Sequence, residues 1–382
     1  MPSIRARLAT YYISYKFGAR RTATWQQILE GIRDGWAAEN APEVVPTAAE
    51  ESFKGSLEEW QVFHMRPRGE PVEKAKVVVY WHGGERVHQT SKHPSRRRST
   101  ADPSSAQAQD RHWIFAQKLA DELKCDVVFP IYTLAPLATG TSCITTCLEL
   151  LAHLRNDTRY AGKEVVLAGD SAGGWIALRT LLALVERSVG KTTFRNEQGE
   201  VTVEDFKVDG DKSDYKAIID CVSDVLMISP VVDTRADRPE DLEAAERDPW
   251  LSKDLVDTMS LIWNYGPAHA FPDFDFNVPA DKVARPIVTD ASELPPLDHQ
   301  AFAPINGLDV IREYKDFERI RLTTFIGTSD ILCPSNKRMQ ARLEALGVKS
   351  DLHVYDGLFH VFPLLPWLPE SMDAFEKIRK LF

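Results

Sequence analysis

Residues 169–174 read Gly169-Asp170-Ser171-Ala172-Gly173-Gly174, a fit to G-x-S-x-G, the pattern that stands a serine on a sharp strand-to-helix turn. Upstream, Glu164-Val165-Val166-Leu167-Ala168 is a short apolar, β-branched run that predicts a buried strand. Downstream, Ala177, Leu181 and Leu184 recur at helical spacing on a run without glycine or proline. Small residues let so tight a turn close. The serine hydroxyl then stands clear of the backbone, over a helix N-terminus that favours developing negative charge. The alternative is an exposed Gly/Ser loop that fits a short pattern by chance, and the rest of the chain decides between the two.

From residue 76 onward, β-like runs alternate with helical ones. Lys76 to Trp81, Val127-Val128-Phe129, the run before Ser171, Val225 to Ile228, Leu322 to Ile326 and Leu352 to Tyr355 are strand candidates. Helical stretches are expected from Trp113 to Leu123, around Cys147 to Leu154, from Asn336 to Leu346 and from Met372 to Leu381. This alternation implies an α/β fold: a mostly parallel sheet with helices on both faces. In such sheets the functional site gathers at the carboxyl ends of the strands. Three segments break the rhythm: a polar, basic loop at 86–110, a charged surface insertion at 190–217, and an acidic, proline-rich stretch at 240–300 with Trp250, Trp263, Phe271 and Phe274 embedded. The expected organisation is one domain over 1–382, with a catalytic core of 56–185 and 301–382. A helical cap is expected from 1–55 and part of 186–300. Gly190-Lys191-Thr192 looks like the end of a phosphate-binding loop, but Val185 stands where that loop's first glycine belongs and a helix precedes it.

A net charge of −10 argues against a nucleic-acid partner, and no apolar run reaches transmembrane length. Five cysteines form no metal-type CxxC pair, which favours a reducing, cytoplasmic setting. Residues 1–29 hold Arg5, Arg7, Lys16, Arg20 and Arg21 with no acidic side chain. Because Ile13, Tyr15, Phe17, Trp25 and Ile28 look built to pack, an amphipathic cap helix is the first reading; a mitochondrial targeting segment and docking on a membrane surface are the alternatives. A homodimer is left open.

A serine hydroxyl needs a base to become a nucleophile, and the base is usually a histidine oriented by a carboxylate. Asp330 follows the strand ending at Ile326, and His360 follows the next strand, so both leave the sheet at the same edge as Ser171. The bland alternatives are a turn-forming Asp330 and a core histidine at 360. Asp356 is a competing acid, and His353 a weak base candidate in mid-strand. For the oxyanion, the Val77 to Trp81 strand ends in His82-Gly83-Gly84-Glu85. Backbone N–H groups of Gly83, Gly84 and Ala172 are the candidate donors, with His82 supporting the loop.

These motifs together resemble the hormone-sensitive-lipase-like carboxylesterases of the α/β-hydrolase fold. The resemblance rests on His82-Gly83-Gly84, Tyr132-Thr133-Leu134-Ala135-Pro136, the run from Gly169 to Gly174, Ser329-Asp330 and His360-Val361-Phe362, in the family's order. It implies an eight-stranded sheet, a cap from the N-terminal helices plus an insertion after the serine, and hydrolysis of small-molecule carboxylic esters through an acyl-enzyme. Ser171, Asp330 and His360 would carry the reaction, with no cofactor and no metal. An acyltransferase, an amide or thioester hydrolase on the same triad, and a non-catalytic small-molecule receptor are the competing readings. Glu85 replaces the third glycine of the family's HGGG run, and its side chain must point away from the oxyanion. Leu137 replaces a glutamate and Trp175 an asparagine, which suggests a bulky or aromatic acyl substrate.

Overall fold

Lys76 to Trp81 is apolar at nearly every position because both of its faces are covered: Val77, Val79 and Trp81 join one core cluster, Val78 and Tyr80 the other. Val225 and Met227 against Leu226 and Ile228 divide in the same way. Each such side chain contributes roughly 1.5–3 kcal/mol by leaving water, so these strands are held at the centre of the fold. The computed structural model describes residues 1–21, 23–36, 49–69, 76–84, 110–135, 137–275 and 297–381. The polar stretch at 86–109 and Glu85 lie outside the described residues, as do positions 276–296 of the acidic stretch.

Two N-terminal helices, α1 (Ile4–Arg21) and α2 (Trp25–Trp36), precede β1 (Ala49–Lys54), β2 (Glu59–Met65) and β3 (Lys76–Trp81). The chain continues through α3 (Asp110–Leu123), β4 (Asp126–Ile131), α4 (Gly140–Asn156), β5 (Glu164–Asp170) and α5 (Ala172–Val189). A hairpin of β6 (Lys191–Arg195) and β7 (Val201–Asp205) follows, then α6 (Lys212–Ile219) and β8 (Val222–Ile228). Helices α7 (Pro239–Arg247), α8 (Lys253–Tyr265) and α9 (Pro267–Ala270) lead to β9 (Arg321–Gly327), α10 (Cys333–Ala345), β10 (Ser350–Tyr355) and α11 (Pro369–Leu381).

The main sheet has eight strands in the order β1-β2-β4-β3-β5-β8-β9-β10. It is parallel from β4 through β10, while β2 pairs antiparallel with both β1 and β4. The mostly parallel eight-stranded α/β sheet is therefore present. Strands β1 and β2 were not foreseen: β1 falls in the stretch 1–55 expected as cap, and no strand was placed in the expected core before residue 76. The 190–217 insertion is partly regular: β6 and β7 pair as a hairpin, and Thr193 Oγ1 donates to the Gly307 carbonyl at 3.1 Å. Gly190 takes the left-handed conformation that caps the C-terminus of α5 (φ 74°), so Gly190-Lys191-Thr192 is a helix end running into a strand.

Helix α5 is buried from Ala172 to Glu186, the pattern of a helix covered all round. Helix α1 packs its Ala6, Ala9 and Ile13 into the same cluster as Phe375 and Ile378 of α11. Ser3 clamps the junction, its N–H and hydroxyl both donating to the Glu370 carboxylate (2.6 and 3.0 Å). Helix α2 meets the other flank, where Trp25 stacks on Phe271 at 5.9 Å. All five cysteines are free thiols. Among the described residues, no helix is long and apolar enough to cross a membrane.

Candidate active site

The turn after β5 is built by close approach. A Cβ on Gly173 would lie 1.9 Å from the Trp81 carbonyl oxygen, so only glycine lets α5 start against the end of β3. Ser171 sits in that turn with φ 52° and ψ −115°, a strained conformation for a residue with a side chain. Its N–H is fixed by the Ile228 carbonyl at 2.8 Å, which ties the elbow to the next strand.

Three side chains from distant parts of the chain meet there. His360 Nε2 lies 2.9 Å from Ser171 Oγ, and His360 Nδ1 lies 2.9 Å from Asp330 Oδ2. A carboxylate only accepts, so Nδ1 carries the proton and Nε2 is left to accept from the serine hydroxyl. Asp330 is fully buried, and its Oδ1 accepts from Leu332 N–H at 2.9 Å. Burial disfavours the imidazolium of His360, but the charge and hydrogen bond of Asp330 outweigh it and leave the histidine pKa above its ordinary value. The competing candidates lie elsewhere. Asp356 is exposed, its Oδ1 accepting from Thr328 Oγ1 at 3.4 Å, and the His353 ring packs on Phe325 at 4.6 Å.

The loop after β3 is held from below by Asp170. Its Oδ1 accepts from Tyr80 Oη at 2.5 Å and from Gly83 N–H at 2.8 Å, while His112 Nε2 stands 3.5 Å from Oδ2. Burial opposes this carboxylate's charge, yet the His112 charge and the three donors keep its pKa below the usual value. A Cβ on Gly83 would lie 2.2 Å from Asp170 Oδ2, so this position admits glycine alone. The Gly83 amide is thus engaged by Asp170. His82 is fully buried, with Nδ1 2.7 Å from the Gly83 carbonyl and its ring stacked on Tyr132 at 4.7 Å. Tyr132 Oη in turn donates to the His82 carbonyl at 2.9 Å. Burial, reinforced by the neighbouring His112, pushes the His82 pKa down to about 4, so His82 is neutral near pH 7 and braces the loop.

Residues that the motifs did not flag complete the surroundings. Asp248, fully buried, accepts backbone N–H bonds from Trp250 (2.8 Å), Leu251 (2.9 Å) and Ile331 (2.9 Å), the last on the Asp330 loop. Burial and the nearby Asp330 charge push its pKa well above the usual carboxylate range. The Trp250 and His360 rings meet in a T-shaped contact at 6.1 Å, and the Arg111 guanidinium lies over the Trp250 ring at 4.9 Å. Ser229 and Val361, like Ser171, hold positive φ (46° and 48°). Val361 N–H donates to Ser229 Oγ at 3.0 Å, which fixes the residue next to His360. Trp175 is buried, and its Nε1 donates to the Phe302 carbonyl at 2.7 Å.

A serine on a strand–turn–helix elbow, with a histidine and an acid supplied by later strand ends of a largely parallel sheet, defines the α/β-hydrolase class. The family described as alpha/beta hydrolase fold matches residues 104–297, just over half of the chain, and the protein belongs to that family. Solved structures repeat the fold at low identity. The esterase of Pyrobaculum calidifontis is 16% identical with a TM-score of 0.58, over 94% of this chain and 92% of its own. The HSL homolog EstE7 from a metagenome library is 14% identical with a TM-score of 0.59, over 100% and 98%. The ester-hydrolase EH1AB1 from the metagenome of Lake Arreo, complexed with a bipyridine phosphonate derivative, is 18% identical with a TM-score of 0.59, also over 100% and 98%. No curated protein sequence matches the chain.

Proposed function

We propose that the protein is a serine carboxylesterase acting on small-molecule esters through an acyl-enzyme. The observation that carries this reading is the continuous relay from Asp330 through His360 to Ser171, with both bonds at 2.9 Å. In the proposed reaction Ser171 Oγ attacks the ester carbonyl while His360 Nε2 takes its proton. The imidazolium so formed is stabilised by Asp330 and returns the proton to the departing alcohol. A water molecule, deprotonated by the same nitrogen, then releases the acid and regenerates Ser171.

The carbonyl oxygen gains charge in both steps. Because Gly83 N–H is engaged by Asp170, the amides of Gly84 and Ala172 are the donors in this reading, and Gly83 sets the loop. The cap in this reading comprises α2 with the segment from α7 to α9. Its contacts with the relay through Trp250, and between Trp263 and Tyr132 (6.2 Å), support that assignment. Similarity to esterases, one of them bound to a phosphonate, supports the ester class. The His360–Ser171 contact weighs against a receptor that has lost catalysis.

The test is hydrolysis of a chain-length series of p-nitrophenyl esters, together with intact-mass detection of a phosphonate adduct. Turnover and a single adduct on Ser171 are expected. No turnover, or an adduct on another serine, overturns the proposal. Adding an alcohol acceptor and analysing products separates hydrolysis from acyl transfer.

A further inference from the structure

Helix α1 packs against the protein with its small face and turns its large one outward. Ala6, Ala9 and Ile13 are buried, whereas Ile4, Leu8, Tyr11, Tyr12 and Tyr15 are 77%, 63%, 75%, 58% and 83% exposed. At 100° per residue these five side chains fall on one stripe about 100° wide, opposite the buried face. Arg7 borders the stripe on one side, and Arg5 and Lys16 border it on the other; all three are exposed. The helix carries no acidic residue, although the chain as a whole has a net charge of −10. Arg5 Nη1 donates to the carbonyl of Trp367 at 3.2 Å, and the Trp367 side chain is itself 48% exposed, so the apolar surface continues beyond the helix.

We infer that α1 is an interfacial docking helix whose partner is the surface of an anionic phospholipid bilayer. An apolar stripe rich in tyrosine suits the boundary between headgroups and acyl chains, and flanking arginine and lysine suit headgroup phosphates. Local charge selects this occupant: this basic, exposed apolar face belongs to an acidic protein, which an anionic surface would otherwise repel. The docking face is coupled to the site. Ser3 is bonded to Glu370, and Pro2 abuts Gly357, where a Cβ would come within 2.8 Å of it. Helix α1 is therefore fixed to the segment that carries His360, and docking holds that edge of the sheet beside the bilayer. The inference does not depend on the chemistry proposed for Ser171.

Co-sedimentation of the full chain with vesicles of pure phosphatidylcholine and with vesicles of phosphatidylcholine mixed with phosphatidylglycerol tests it. Binding to the anionic vesicles that weakens with salt is expected, with little on the neutral ones. Arg7→Glu should lower the partition coefficient on the order of twentyfold, since each surface charge counts about fivefold and reversal counts twice. Leu8→Ser/Tyr11→Ser/Tyr15→Ser should lower it on the order of a hundredfold or more. Turnover of a soluble ester and the melting temperature should stay at wild-type values in both variants, which separates lost docking from lost folding or catalysis. Absence of binding to anionic vesicles at low salt overturns the inference, as does binding indifferent to both variants. A dimer in sedimentation velocity that the serine variant dissociates would assign the stripe to a second copy and equally overturn it.

Discussion

Asp248→Asn is the sharpest probe of how the Asp330 loop is held. The wild-type carboxylate uses both oxygens: Oδ1 accepts from Trp250 and Leu251, and Oδ2 accepts from Ile331. Asparagine has one acceptor oxygen. If that oxygen keeps the Trp250 and Leu251 pair, the amide –NH2 faces Ile331 N–H, donor against donor. The buried Ile331 N–H is then left without an acceptor, at a cost of about 1–3 kcal/mol. The substitution also removes a carboxylate that burial and Asp330 make reluctant to ionise. The sign follows from linkage. A group whose folded pKa is raised binds its proton more tightly in the folded state, so ionising it above the unfolded value destabilises the wild type progressively as pH rises toward the folded pKa. The asparagine variant escapes that loss. Its stability deficit should therefore be largest at about pH 4, shrink as the pH rises to about 7 and level off above that, as read by urea unfolding at each pH. A deficit that is constant or grows with pH refutes the account of Asp248. Because Ile331 adjoins Asp330, kcat should also fall, on the order of tenfold, with KM little changed.

Other outcomes follow from the same geometry. Ser171→Ala should fold normally and lose on the order of 10⁴-fold or more in kcat on p-nitrophenyl butyrate; activity within tenfold of wild type would remove the serine from the chemistry. The acid limb of kcat/KM should have its midpoint above the ordinary histidine value of 6.5, because the base must be neutral and Asp330 raises its pKa. Asp330→Asn should move that midpoint to lower pH, and a stopped-flow pH profile on both proteins decides it. Asp170→Asn weakens a charged acceptor for Tyr80 and Gly83 and should cost about 1.5–3 kcal/mol by urea unfolding. A loss in kcat approaching that of one oxyanion donor, 10²-fold on an order-of-magnitude scale, should accompany it. Ser229→Ala leaves the buried Val361 N–H unpaired and should destabilise by about 1–3 kcal/mol while lowering kcat more than it changes KM.

What the sequence disclosed and what it withheld divide along a physical line. Buried parallel strands write continuous apolar runs, so β3, β5, β8 and β9 are legible without any partner. Strands β1 and β2 are not. Ala49–Lys54 is charged and lies at the sheet edge with one neighbour, and only its pairing with β2 makes it a strand. The β6–β7 hairpin is silent for the same reason: every residue of β7 is exposed, so no apolar period marks it. Within the site, Ser171, Asp330 and His360 are legible because strand ends and chain order place them. Asp248 is one acid among many in an acidic stretch, 83 positions from the Ile331 amide it holds, and nothing local distinguishes it.

The strained backbone is the least legible feature, and the reason is general. Ser171, Ser229 and Val361 each occupy positive φ, at about 1–3 kcal/mol apiece, although valine is among the residues least suited to it. Local propensity points away from the observed conformation at all three positions, so only long-range contacts can enforce it. Those contacts run between the elements that carry the relay: Ser171 N–H to Ile228, Ser229 N–H to Phe325, and Val361 N–H to Ser229 Oγ. The strain at Ser171 exposes its hydroxyl, and the strain at Val361 turns the chain immediately after His360. Ser229 joins the two from the end of β8. The three strained turns thus lie at the strand ends that bring the relay together, where His360 and Ser171 meet at 2.9 Å.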